Sequence, residues 1–279
     1  MLFLGVGPIV NQIILKTSSL LPEYEMIAFS SNLSIGKTSY PILSYNRLSE
    51  IQFDDSAVFV VGWRESPSEH SIFAESRELV LEATAHRPTF LISSASVYGN
   101  TTNPATELSP ASPINAHGRS RLDLEKWARR HTQVRGIFRV ANVYGDFQLP
   151  GIVDKIIGHM KSSQKDSDFE IQGAPEHVRD FVPLNFVSQV ISELVWHGAK
   201  NPSADEVLVN VSSGLATTLA DVAELAKKFS GLSFKFSNLD PSEVIAKNIL
   251  SPLKLQELLG IRQLPTHRDL EAYLKYSFE

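Results

Sequence analysis

Two stretches of this 279-residue chain gather side chains able to handle a proton or an anion. Ser93-Ser94-Ala95-Ser96-Val97-Tyr98-Gly99 closes an apolar run with a serine cluster, and His117-Gly118-Arg119-Ser120-Arg121 follows it. An imidazole has a reference pKa near ~6.5, so His117 can carry protons at pH 7 without help. Arg121 lies four residues on, one helical turn away, and a fixed cation there favours the neutral imidazole. A guanidinium cannot act as a base. The pair also suits an anion such as a pyrophosphate, and a partly exposed polar residue in a first helical turn is ordinary structure. Ser94 alone reads as the loop chemistry usual at a strand end. Arg179 is a second candidate, because arginine grips phosphate bidentately; Asp180 and Glu176 beside it are alternative partners. Gly5 and Gly7 suit a strand-to-helix turn with or without a nucleotide.

The elements that must position these residues alternate. Leu2–Val6, Met26–Phe29, Ala57–Val61, Thr89–Ile92 and Gly136–Val140 read as buried strands. Ile9–Leu20, Ile72–Thr84 and Ile114–Arg130 read as helices between them. This βαβ rhythm predicts a doubly wound parallel sheet with helices on both faces, and such sheets bind ligands at the carboxyl ends of their strands. Further on, helices are expected over Gly151–Lys161, Asn185–Trp196 (Asn185 as N-cap), Thr218–Phe229 (preceded by Thr217, closed near Gly231), Pro252–Leu259 and Asp269–Tyr276. A polar loop over Ser162–Asp168 and a strand over Val207–Val211 complete the reading. The connection from Phe29 to Tyr40 is too short for a crossover helix. The expected organisation is a nucleotide-binding core over 1–148, with 180–211 packing back onto it, and a smaller lobe over 149–279.

Composition narrows the classes. Apolar residues at 43% and charged residues at 20% are usual for a globular protein. A net charge of -5 argues against a phosphate-backbone binder, so no nucleic acid is expected. There is no cysteine, which removes disulfides, thiolate metal sites and cysteine nucleophiles; no metal site is expected. No run is long and apolar enough to span a bilayer, and the start lacks the basic region of a signal peptide, so a cytoplasmic protein is expected. Gly36-Lys37-Thr38 is not a P-loop, because Ser31 stands at its first glycine position.

The motifs together resemble the extended short-chain dehydrogenase/reductases, the NAD-dependent epimerase/dehydratase family that remodels nucleotide sugars. The family's S-S-x-x-V-Y-G matches 93–99. Its R-x-x-N-V-Y-G resembles Arg139-Val140-Ala141-Asn142-Val143-Tyr144-Gly145. Its I-x-G…R-D-F-V resembles Ile171-Gln172-Gly173 with Arg179-Asp180-Phe181-Val182, and its N-V-x-S-G…T-L resembles Asn210-Val211-Ser212-Ser213-Gly214 with Thr218-Leu219. Glu125 also stands where that family has a glutamate. The resemblance implies a Rossmann-type fold with a small C-terminal α/β lobe, and NAD or NADP at Gly5, Gly7, Gly62 and Asn142. It implies a nucleotide or nucleotide sugar near Arg179, and it is compatible with a homodimer through the helix that carries His117.

The departures from the pattern fall on the chemistry. The family's acid/base tyrosine is His117 here, and its lysine is Arg121; Ser94 keeps the place of the hydroxyl that binds the sugar oxygen. The third glycine of the Gly-rich turn is Val10, whose branched side chain is expected to hold helix from strand, and Pro8 removes an N–H. No acid for the ribose follows Phe29-Ser30-Ser31-Asn32, and Trp63 stands where small residues face the cofactor. Three functions follow. The first is a diverged member that keeps a nucleotide or nucleotide-sugar cleft without the Tyr/Lys relay. The second is an active NAD(P)-dependent epimerase, dehydratase or reductase using His117 and Ser94. The third is an enzyme whose cleft works without nicotinamide.

Overall fold

A computed structural model describes residues 1–30, 38–53, 56–62, 79–145, 151–162, 168–201, 205–237 and 244–278. In the first unit, β1 (Leu2–Leu4), β2 (Ile27–Phe29), β3 (Ile42–Leu43), β4 (Phe59–Val61), β5 (Pro88–Ser94), β6 (Gln133–Val140) and β11 (Val207–Val211) form one sheet in the order β11-β6-β5-β4-β1-β2-β3. Leu2, Phe3 and Leu4 pair in parallel with Ile27, Ala28 and Phe29 on one side and with Phe59, Val60 and Val61 on the other. Strands apolar on both faces suit a sheet covered twice, and Phe3, Leu4, Phe59, Val60 and Val61 are all fully buried. α1 (Pro8–Leu20), α2 (Ala116–His131) and α4 (Leu184–Lys200) flank the sheet, and 79–84 are helical.

Strand order reverses between β1 and β4, the switch point where open α/β sheets hold ligands. Gly5 and Gly62 follow those two strands. The β2-to-β3 connection ends in Tyr40, whose hydroxyl donates to Asn11 Oδ1 on α1. That bond ties the connection to the sheet's first helix, and burial pushes the Tyr40 phenol up to about 12.

The chain divides into two compact units that interleave along the sequence. The first is Met1–Ser94, Arg119–Arg139 and Ser188–Val209; the second is Ala95–Gly118, Val140–Val187 and Asn210–Glu279. The second holds α3 (Ile152–Met160), α5 (Leu219–Ser230), α6 (Leu253–Leu259) and α7 (His267–Phe278). β7 (Asn142–Tyr144) pairs with β10 (Phe181–Pro183), and β8 (Phe169–Gln172) with β13 (Phe234–Ser237), both in parallel. β9 (Val178–Arg179) lies between β12 (Thr217–Thr218) and β14 (Lys247–Asn248). Tyr144, Ile156, Ile157, Phe181, Val222 and Leu274 form its core.

Two expected helix starts move. Asn185 lies inside α4, which begins at Leu184 directly after β10; its Oδ1 accepts the Phe186 N–H at 2.8 Å. The cap of α5 is Thr218, not the residue before it: Thr218 Oγ1 accepts the Asp221 N–H, and Asp221 accepts in return from the Thr218 N–H, a reciprocal box. Gly231 closes that helix at φ +71° as expected. The expected helix over 72–78, the loop over 163–167, Trp63, and Gly36 and Lys37 lie outside the described residues.

Candidate functional site

In the first unit the glycine turn keeps its shape. Gly5 adopts φ +83°, which an L side chain rarely takes, and its N–H donates to the Phe29 carbonyl. Gly7 precedes α1 in extended backbone, with Pro8 at the first helical position. Val10 does not hold the helix off. It is 3% exposed, and its Cγ2 would lie 2.4 Å from a Cβ built on Gly62. The missing side chain at 62 is the space into which the extra bulk at 10 fits. The small contact needed between helix and sheet has moved from one strand end to another.

The glycine turn and the end of β2 differ in what they would offer a dinucleotide. Gly5, Gly7 and the opening turn of α1 suit a pyrophosphate. At the end of β2, Ser30 is buried, its N–H goes to the Leu43 carbonyl, and the sequence carries no carboxylate from Ser30 to Ser44. Among the described residues, none at the end of β2 offers a carboxylate to a ribose.

Also in the first unit, Ser94 ends β5, half-buried. Arg121, buried on α2, sends Nη1 to the Ile92 carbonyl at 3.3 Å. One turn further, Glu125 is fully buried. It accepts from Ser93 Oγ at 2.6 Å and from both Arg139 Nε (3.0 Å) and Nη2 (2.7 Å). Arg121 and the strand end bearing Ser94 are thus brought together, and the neighbouring serine is committed to an ion pair.

In the second unit His117 is exposed in the first turn of α2. Asn115 caps that turn by accepting the Gly118 N–H at 2.8 Å. A Cβ on Gly118 would lie 2.4 Å from the Ser96 carbonyl oxygen and 2.8 Å from Pro113 Cβ, so only glycine lets the turn sit this close. Tyr98 is buried and donates to Asn210 Oδ1 at 2.8 Å, linking two of the sequence landmarks as structure.

Asn142 and Arg179 come together elsewhere in this unit. They line a pocket of about 300 Å³ with Lys155, Glu170, Gln172, Phe169 and Leu219. Arg179 donates to the Val178 carbonyl at 3.0 Å and Ala246 at 3.5 Å. Burial pulls its guanidinium down to about 10. Its neighbour Asp180 is engaged apart from it, accepting from the Ser213 N–H (3.0 Å), Ser213 Oγ (2.6 Å) and the Gly214 N–H (3.0 Å). Among the described residues no carboxylate forms an ion pair with Arg179. Asn142 spends its side-chain amide on the Asp180 carbonyl at 3.0 Å. The first residue of α3, Ile152, and its cap, Gly151, are also in the wall. A helix start and two cations thus share this hollow with one carboxylate, Glu170.

The profile of the NAD dependent epimerase/dehydratase family matches residues 63–206, just over half of the chain. The chain belongs to that family. Solved structures agree over the whole length. One is described as MoeE5 in complex with UDP-glucose and NAD (16% identity, 99% of this chain and 97% of that one, TM-score 0.79). Another is the UDP-glucose 4-epimerase of Thermus thermophilus in complex with NAD (17%, 99% and 99%, 0.72). A third is DesIV, a dTDP-glucose 4,6-dehydratase from Streptomyces venezuelae (18%, 100% and 96%, 0.79). At these identities the likeness is one of fold, and it bears out the Rossmann-type architecture.

Lys155 is a pocket residue that sequence reasoning passed over. Its signal was a cation near the start of a helix, where the macrodipole disfavours it.

Proposed function

We propose that this family member binds a nucleoside-diphosphate sugar in the pocket of its second unit and lacks the proton relay of the working enzymes. The observation that carries the reading is Arg179: a half-buried cation, with Lys155 and Glu170 lining the same hollow and no carboxylate in an ion pair with it among the described residues. A buried charge is costly unless something opposes it, and a diphosphate matches a guanidinium fork. One structural neighbour holds UDP-glucose with NAD, and another is a dTDP-glucose 4,6-dehydratase, which favours a UDP- or dTDP-sugar. His117 and Arg121 replace a phenol and an ammonium with one exposed imidazole and one guanidinium turned to a carbonyl. That pair supports anchoring more than catalysis, and the lack of a ribose carboxylate at the end of β2 among the described residues points the same way.

Thermal unfolding with added ligand tests this. A ligand at 100 times its Kd stabilises by ~2.7 kcal/mol. UDP-glucose near saturation should therefore raise the midpoint by several degrees, NADH should leave it unmoved, and Arg179→Ala should abolish the UDP-glucose shift. A shift with millimolar NADH, joined to a turnover that His117→Ala destroys, would replace this reading with the active enzyme.

A further inference from the structure

We propose that His177 makes sugar-nucleotide binding at the Arg179 pocket proton-linked, so that affinity rises as pH falls. The proposal rests on the nucleotide-pocket reading above and adds a control to it.

His177 stands two residues before Arg179, just ahead of β9, and its N–H donates to the Ala174 carbonyl at 3.0 Å. Its ring and the pocket residue Leu219 both lie beside Gly173. A Cβ on Gly173 (φ +112°) would meet His177 Nδ1 at 2.8 Å and Leu219 Cδ1 at 3.4 Å, and Leu219 itself lines the pocket. Glycine is therefore required there on two counts, conformation and space. Nδ1 accepts the Ala174 N–H at 3.2 Å, so the imidazole in this arrangement is neutral, with its hydrogen on Nε2. Adding a proton turns that acceptor into a donor and costs the bond to Ala174.

The charges around the ring set the direction. Burial first, and the Arg179 cation second, hold the imidazole below its ordinary value, against a smaller opposite pull from Glu176. Other charged and titratable groups lie on elements packed against this segment: Glu170 on β8 is in the pocket wall, and His267 Nε2 meets Thr217 Oγ1 at 3.0 Å on the strand paired with Arg179. Asp221 in the first turn of α5 is held by Thr218, and Lys247 on β14 reaches the Thr102 carbonyl. Lys155 faces the pocket from α3. A diphosphate seated on Arg179 cancels the cation that repels the proton and adds negative charge of its own. The bound state therefore prefers His177 protonated, and by linkage a protonated His177 prefers the anion.

The test uses UDP-glucose, whose diphosphate is a diester. It lacks the terminal phosphate ionisation near ~6 that would complicate UDP itself. Calorimetric titration at several pH values should give affinity about fivefold tighter near pH 5.5 than near pH 8, a coupling of usual size. His177→Gln keeps a polar side chain that cannot titrate and should flatten the profile. In the wild-type protein, NMR should show the imidazole titration moving upward when UDP-glucose is saturating. A flat wild-type affinity profile, a slope that survives His177→Gln, or an imidazole titration unmoved by ligand each overturns the proposal. Failure of UDP-glucose to bind at any pH overturns the pocket reading first, and this proposal with it.

Discussion

Glu125 is a carboxylate with no access to water, held by Arg139 through two hydrogen bonds and by Ser93 through a third. Its removal and its partner's removal are not equivalent to removing both. Arg139→Met should cost about 3–5 kcal/mol in denaturant unfolding, because the buried charge is left with only the more distant, partly exposed Arg129 at 3.9 Å to oppose it. The double variant Glu125→Met with Arg139→Met should recover most of that loss, and a double-mutant cycle reads the difference. The sequence marked Glu125 and Arg139 as landmarks without marking them as partners. They are separated along the chain, and only the seating of α2 on β5 and β6 joins them. His117 and Arg121 were legible as a spacing and not as a pair. One is exposed in the opening turn, while the other is drawn beneath the helix to the Ile92 carbonyl.

At the scale of the elements, α1 and β4 share one substitution. Val10 fills the space that Gly62 leaves. Gly62→Ala should destabilise the fold by about 1–3 kcal/mol, the cost of overpacking a filled site. Adding Val10→Ala to that variant should return part of the loss, so the two effects will not sum. If Gly62→Ala proves neutral in thermal unfolding, the contact is not the one described. The type of the main elements was readable because both periodicities are strong here: apolar runs for buried strands, and helical stripes between them. The ends were readable only where a local cap fixes them. Thr218 and Asp221 fix one end by a reciprocal box, whereas α4 starts early because β10 runs straight into it. The accommodation at Val10 was hidden because its compensating residue sits on another strand.

For the molecule as a whole, strand order and chain interleaving follow from the family fold, and the pocket's location followed from motifs that were individually short. Proton linkage is where whole-molecule behaviour becomes measurable. In the unfolded chain His177 takes up its proton near ~6.5; in the fold it does so at lower pH. Between those values the unfolded state binds more protons, so stability rises with pH there. This contribution is present above ~6.5 and is lost as pH falls through the folded value. Without ligand, the unfolding midpoint should decline on acidification through this window, and His177→Gln should reduce the decline. An identical decline in the variant would assign it to other groups. UDP-glucose should soften the wild-type decline, since it favours the protonated ring.

The unequal setting of residues 117 and 121 also sets how each tolerates change. A change at 117 alters a solvent-facing side chain and is cheap in either direction. A change at 121 must reseat a charge inside the molecule, and an ammonium sheds water less readily than a guanidinium. The helix is therefore unevenly tolerant: its outer position, 117, accepts substitution at little cost, while position 121 must hold a charge inside the molecule.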